Sequence, residues 1–131
     1  MSYRILVVED NPQNLELLCD WLDSEGYQAG GATNLSAARA AFAGAPPHAV
    51  LLDVQLGGED GLELAAWLRG QQNLHDIPVI AVTAHAMVAE RERILHAGCN
   101  ACVSKPVDFK VLREELRRWL AATPNPGRLR T

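Results

Sequence analysis

A chain of 131 residues, 48% hydrophobic and 21% charged, has the size and composition of one compact domain with a single core. Its net charge of −4, from 12 basic and 16 acidic residues, supplies no basic stripe interleaved with aromatics of the kind a nucleic acid backbone requires, so direct nucleic acid binding is not expected. No apolar run nears the roughly 20 residues of a membrane span, and no basic, apolar, small-residue leader opens the chain, so a cytoplasmic protein without membrane insertion is expected.

Apolar runs of strand length alternate five times with amphipathic segments of helix length, the pattern of a parallel sheet covered on both faces. "RILVV" (4–8) reads as a buried strand. A helix follows, with Asn11 placed to cap it, Pro12 in the first turn and Gly26 as its stop. On this helix Leu15, Leu18, Cys19 and Leu22 form a core stripe, while Leu17 and Trp21 lie well round the cylinder. A short strand is expected at 28–32, then a helix over 35–43 that Gly44, Pro46 and Pro47 terminate. "AVLLD" (49–53) is the third strand, 62–69 the third helix, "PVIAVT" (78–83) the fourth strand and 88–97 the fourth helix, ended by Gly98. "ACVS" (101–104) is the fifth strand. The last helix takes Asp108 as its cap, runs to 122 and projects Phe109, Leu112, Leu116, Trp119 and Leu120 onto one arc. Residues 1–122 therefore form one domain, and the polar, proline-bearing 123–131 is expected to be a disordered tail. Of the three cysteines, Cys99 and Cys102 form C-x-x-C without a second pair or histidines at zinc spacing, and all three read as reduced thiols. A catalytic thiol pair is the lesser alternative, because this C-x-x-C straddles the start of a strand instead of opening a helix.

Right-handed crossovers point all five strands the same way, so their C-terminal ends share one rim, where ligands of open α/β sheets bind. That rim collects Glu9 and Asp10 after the first strand, Asp53 after the third, Thr83 after the fourth, and Ser104, Lys105 and Pro106 after the fifth. Three carboxylates so close repel one another unless some are protonated or a cation joins them, and a hard divalent ion, Mg²⁺ or Mn²⁺, suits oxygen ligands with positions left open. A metal, a lysine and a hydroxyl are the parts of phosphoryl transfer, and one carboxylate can serve as nucleophile and form an aspartyl phosphate. Taken singly, Glu9 and Asp10 read as caps of the next helix, Thr83 as an ordinary strand residue and Lys105 as a solvated charge. Their convergence on one rim argues against four independent roles.

"ILVVEDN", "LLDVQLGGEDG", "VTA" and "SKP", in this order and spacing, resemble the receiver domain of two-component response regulators over about residues 3 to 121. The resemblance implies a flavodoxin-like, doubly wound, five-stranded parallel sheet of order 2-1-3-4-5 with five helices. It implies that Glu9, Asp10 and Asp53 hold Mg²⁺ with the backbone carbonyl of Gln55, and that Asp53 is the phosphoacceptor. Thr83 is then the hydroxyl that moves onto the phosphoryl group, and Lys105 the cation that pairs with it. The Lys105–Pro106 peptide is expected to be cis, an isomer that only X-Pro bonds adopt cheaply. The implied function is a phosphoacceptor switch of a phosphorelay. It takes its phosphoryl group from a histidine kinase or histidine phosphotransfer protein, signals by contact with a downstream effector, and catalyses only its own phosphorylation and dephosphorylation.

Two positions depart from the family pattern. Cys102 stands where an aromatic rotamer switch is usual, so output is expected to depend on the loop and helix after Thr83, including His85 and Met87. Gly57 stands where proline is common, and with Gly58 it is expected to loosen the loop. "GGEDG" also has the look of a phosphate-binding turn, but it lacks both G-x-G-x-x-G and a G-K-[ST] ending. Gln55 and His85 flank the path of attacking water and are expected to set a moderate phosphoryl lifetime. Leu17 and Trp21 read either as a docking surface for a donor helix bundle or as packing against the last helix. Two rival functions are an aspartyl-nucleophile phosphatase, disfavoured because Gln55 replaces a second acid, and a pseudo-receiver that binds partners without phosphorylation. Met1 and a tail without a linker to another domain favour a single-domain protein over an excised piece.

Overall fold

Each apolar run is just long enough to cross a sheet once, and in the computed structural model, which describes residues 2–122, each does so. The chain begins with β1 (Arg4–Val8), α1 (Pro12–Ser24), β2 (Gln28–Ala32) and α2 (Leu35–Ala40). It continues through β3 (Ala49–Asp53) to a small hairpin, β4 (Gln55–Leu56) and β5 (Glu59–Asp60), then α3 (Leu62–Arg69). β6 (Val79–Thr83), α4 (Val88–His96), β7 (Ala101–Ser104) and α5 (Phe109–Ala122) complete it. The expectation for 123–131 lies outside the described residues. No described helix is long and apolar enough to cross a membrane.

The five long strands form one parallel sheet in the order β2-β1-β3-β6-β7, which is 2-1-3-4-5 once the hairpin is set aside. This is the doubly wound, flavodoxin-like arrangement. Alternate residues of each strand feed two separate cores. Leu6, Val8, Val50, Leu52, Val79 and Ala81 face α2, α3 and α4; Ile5, Val7, Ala49, Leu51, Ile80 and Val103 face α1 and α5. β3 is buried along its whole length, so the residue at its end is delivered from the middle of the sheet.

Local capping sets most helix limits. The Asn11 side chain accepts from the Gln13 and Asn14 N–H groups, Asn34 from Ala37, and Asp108 from Lys110. α2 ends at Ala40, short of the expected 43, because its chain tightens into i→i+3 bonds from Phe42 to Arg39 and from Ala43 to Ala40 before Gly44 turns it at φ +77. α4 likewise stops at His96, and Ala97 caps it ahead of Gly98.

At the rim opposite the strand C-termini, the half-buried Arg69 of α3 joins three segments. Its Nε donates to the Gly98 carbonyl (2.9 Å), Nη1 to those of His75 (3.0 Å) and Ile77 (2.8 Å), and Nη2 to Asn100 Oδ1 (2.8 Å), which also accepts from the Val79 N–H. Burial lowers its pKa, yet four of its five N–H groups find acceptors. Arg69→Ala strands these acceptors and is expected to cost about 2–3 kcal/mol, read as a lower urea midpoint at unchanged slope; an unshifted midpoint would show the brace to be dispensable.

Candidate functional site

Parallel pairing of β1 with β3 aligns Val8 with Leu52, so the residues that follow, Glu9 and Asp53, emerge side by side. Glu9 is 3% exposed and Asp53 7%, while Asp10 lies in solvent beside them. One carboxylate oxygen from each of the three lies within 4.8 Å of the others. Lys105, just beyond β7, brings its Nζ to 3.1 Å from Asp53 Oδ2 and 3.6 Å from Glu9 Oε1. Its backbone is fixed by an N–H bond to the Thr83 carbonyl (2.8 Å), and the Lys105–Pro106 peptide is cis. Thr83, 1% exposed, ends β6, and its hydroxyl accepts from the His85 N–H (3.0 Å). The Gln55 N–H donates to Asp53 Oδ1 (3.1 Å) and the Asn11 N–H to Glu9 Oε2 (3.2 Å). Five residues expected on the rim, Glu9, Asp10, Asp53, Thr83 and Lys105, are thus brought together by four strand ends.

One ammonium does not balance three acids. Burial, and after it the hydrogen bond and charge of Asp53, push the Glu9 carboxyl up to about 7, against the lowering pull of the Asn11 N–H and Lys105. A buried carboxyl that resists ionising beside two more oxygen donors is a site short of positive charge. A hard divalent cation with open positions fits this all-oxygen set, and Mg²⁺ meets that description.

The segment after Asp53 holds what sequence reasoning missed. The two glycines sit in a hairpin: Gln55 pairs with Asp60 and Leu56 with Glu59, and Gly57 at φ +58 opens a two-residue turn between them. A positive φ at the first turn position is glycine's province, and Gly-Gly between paired residues was the available signal. Gly61 closes the loop with an N–H bond to the Val54 carbonyl (2.7 Å), and a Cβ there would overlap the Asp53 carbonyl oxygen. Glu59 Oε1 accepts from the Leu35 N–H at the start of α2 (3.0 Å), and Asp60 Oδ1 from the Leu62 N–H at the start of α3 (3.0 Å).

The side chains of Gln55 and His85 are exposed at the mouth of the site. Cys102 is half-buried against the core layer under α4. Leu17 is 56% exposed, beside a cavity of about 230 Å³ lined by Leu17, Leu18, Lys105, Val107 and Phe109. Of the two readings of Trp21, the packing one has contacts here: its ring, partly buried, lies 4.9 Å from that of Phe109 and under the Arg113 guanidinium at 5.9 Å, in the α1–α5 seam.

All three cysteines are free. Burial raises each thiol, Cys99 to about 12, where only about 0.1% is thiolate near pH 9. Such a thiol does not act as a redox nucleophile. Iodoacetamide near pH 9 is therefore expected to label Cys19 and Cys102 well before Cys99; first labelling at Cys99, mapped by peptide mass, would contradict this.

Comparison with known proteins agrees with this geometry. The family description "Response regulator receiver domain" matches residues 5–117. The polar-differentiation response regulator DivK of Brucella ovis is 37% identical over 124 residues, covering 92% of this chain and 98% of the relative. Among solved structures, the receiver domain of a sensor histidine kinase from Pseudomonas aeruginosa PAO1, solved with a magnesium ion coordinated in its active-site cleft, is 34% identical. It superposes with a TM-score of 0.81 over 92% of this chain and 99% of its own. The receiver domain of a signal transduction histidine kinase from Syntrophus aciditrophicus is 32% identical, with a TM-score of 0.84 over 92% of each chain. This chain belongs to the response regulator receiver domains, the phosphoacceptor signalling modules of two-component systems.

Proposed function

We propose that Asp53 is the phosphoacceptor, and that it takes its phosphoryl group from the phosphohistidine of a histidine kinase or histidine phosphotransfer protein. The observation that carries this is the 3.1 Å contact of Lys105 with Asp53 inside a cluster of three carboxylates. An Asp53 oxygen attacks phosphorus, an O–P bond forms as the N–P bond breaks, and the imidazole leaves as the neutral base once protonated. Lys105, already on Asp53 Oδ2, pairs with a phosphoryl oxygen as charge builds there, and the Thr83 hydroxyl, one residue beyond Val82 opposite Asp53, donates to another.

Glu9, Asp10, Asp53 and the Gln55 carbonyl are the residues that would hold Mg²⁺, or Mn²⁺ in its place. Bound there, the ion would neutralise the acidic cluster and offset the charge that builds during phosphoryl transfer. The magnesium in the Pseudomonas receiver supports this reading. Turnover beyond self-phosphorylation and self-dephosphorylation is not part of the role, and Gln55 and His85, exposed at the mouth, modulate the second step. The signal leaves by contact with a protein effector, in the cytoplasm, where free thiols stay reduced.

Leu17, exposed beside the cavity that reaches Lys105, is the docking residue for the donor's helix bundle.

Incubation with acetyl phosphate and Mg²⁺ is expected to add one phosphoryl mass to the intact protein and none to Asp53→Asn; wild type without the adduct would overturn the assignment. In the same assay the adduct decays at altered rates in Gln55→Ala or His85→Ala, and unchanged decay in both would remove them from that role. Leu17→Ala is expected to slow phosphotransfer from a phosphorylated histidine phosphotransfer protein roughly fivefold to tenfold. Labelling by acetyl phosphate stays the same in that variant, and equal transfer rates would leave Leu17 without a docking role.

A further inference from the structure

Cys102 leaves open how a change at Asp53 reaches the surface, because a thiol has neither the bulk nor the reach to relay movement of Thr83. We propose that the β4–β5 hairpin is the relay, and that the Asp60–Arg93 ion pair transmits its displacement to α4. The proposal rests on Asp53 being the phosphoacceptor.

The hairpin starts at the reacting group. Gln55, its first residue, donates its N–H to Asp53 Oδ1, the carboxylate whose charge, shape and hydrogen bonding change when phosphorus is attached. Two residue pairs and a glycine-specific turn make residues 55–60 a ribbon, and a ribbon pushed at one strand moves at the other instead of absorbing the push. The far strand, β5, carries the outgoing contacts. Glu59 binds the first turn of α2, and Asp60 binds the first turn of α3 through Oδ1 and Arg93 of α4 through Oδ2 (3.2 Å).

These three helices do not yield equally. α3 is anchored by four buried residues, Leu62, Leu64, Ala65 and Leu68, and by the Arg69 brace. α2 buries Leu35 and Ala38 and has its own cap in Asn34. α4 buries Ile94 alone, no side chain caps its N-terminus, and Met87, Val88 and Leu95 stand in solvent. The least anchored element opens or shifts first. Its one described ion pair to the phosphoacceptor loop is also pre-aimed: Glu90 accepts from Arg93 Nε (3.0 Å) and Nη2 (3.3 Å), which leaves Nη1 for Asp60. The hairpin therefore pushes on two fixed helices and one movable one, and α4 takes the displacement.

The test is amide-resolved NMR of the full chain, before and after Mg²⁺ with beryllofluoride, a stable stand-in for the phosphoryl group. Wild type is expected to respond both over residues 53–60 and over 88–96. Arg93→Gln, a change at an exposed position, keeps the response over 53–60 but loses roughly two-thirds or more of that over 88–96. Sodium chloride near 1 M, which screens an exposed pair, reproduces the loss in wild type. Arg93→Lys, which keeps the charge, retains more of the response than Arg93→Gln. An α4 response as large in Arg93→Gln as in wild type overturns the relay and leaves the phosphoacceptor reading standing. Silence over 53–60 in wild type overturns both.

Discussion

Two buried carboxylates share one ammonium, and most of the site follows from that. Glu9 and Asp53 are neighbours because β1 and β3 are, so the pairing that builds the sheet also presses two like charges together. Lys105 reaches both, but an ammonium cannot satisfy two acids with a third, Asp10, close by. Burial, with the hydrogen bond and charge of Asp53 behind it, raises the Glu9 carboxyl to about 7, the mark of a cluster that gains from added positive charge. The same imbalance that would be a defect in a core is what the proposed cation-assisted phosphoacceptor draws on.

The remaining parts of the rim keep this cluster in register. β6 sets Thr83 opposite Ser104, and the Thr83 carbonyl then ties down Lys105, so hydroxyl and ammonium are located by one backbone contact. Gly61 allows the chain to pass against the Asp53 carbonyl, where any side chain would collide. At the opposite rim Arg69 binds the loops before β6 and β7 to α3, stiffening the strands that carry Thr83 and Lys105. Rigid strands and a precise rim contrast with α4, held by one buried residue.

Trp21 shows how tertiary packing overrides a helical wheel. Placed away from the stripe of Leu15, Leu18, Cys19 and Leu22, it is nonetheless partly covered, because α5 lies along α1 and presents Phe109 and Arg113 to it. Leu17, on the other side, has no such cover and borders the cavity beside Lys105.

Strand and helix positions were legible in the sequence because buried parallel strands must be continuously apolar and helix ends must be capped. "AVLLD", Asn11 and Gly26 satisfy those rules locally, and with the order of the rim residues they specify the sheet and the acids on it. The hairpin was not legible because glycine permits both an open loop and a turn, and only pairing of Gln55 with Asp60 reveals the turn. Arg69 and Arg93 were silent for another reason: their partners lie as many as 33 residues away, and no local pattern marks an arginine for a carbonyl or carboxylate so distant. The sequence by itself determined the architecture and the chemistry of the rim, since both depend on burial and residue type at fixed spacing. Tertiary structure alone decided the distances within the site, the packing of Trp21 on Phe109 and the proposed route from Asp53 to α4, because each is a contact between segments that chain order does not bring together.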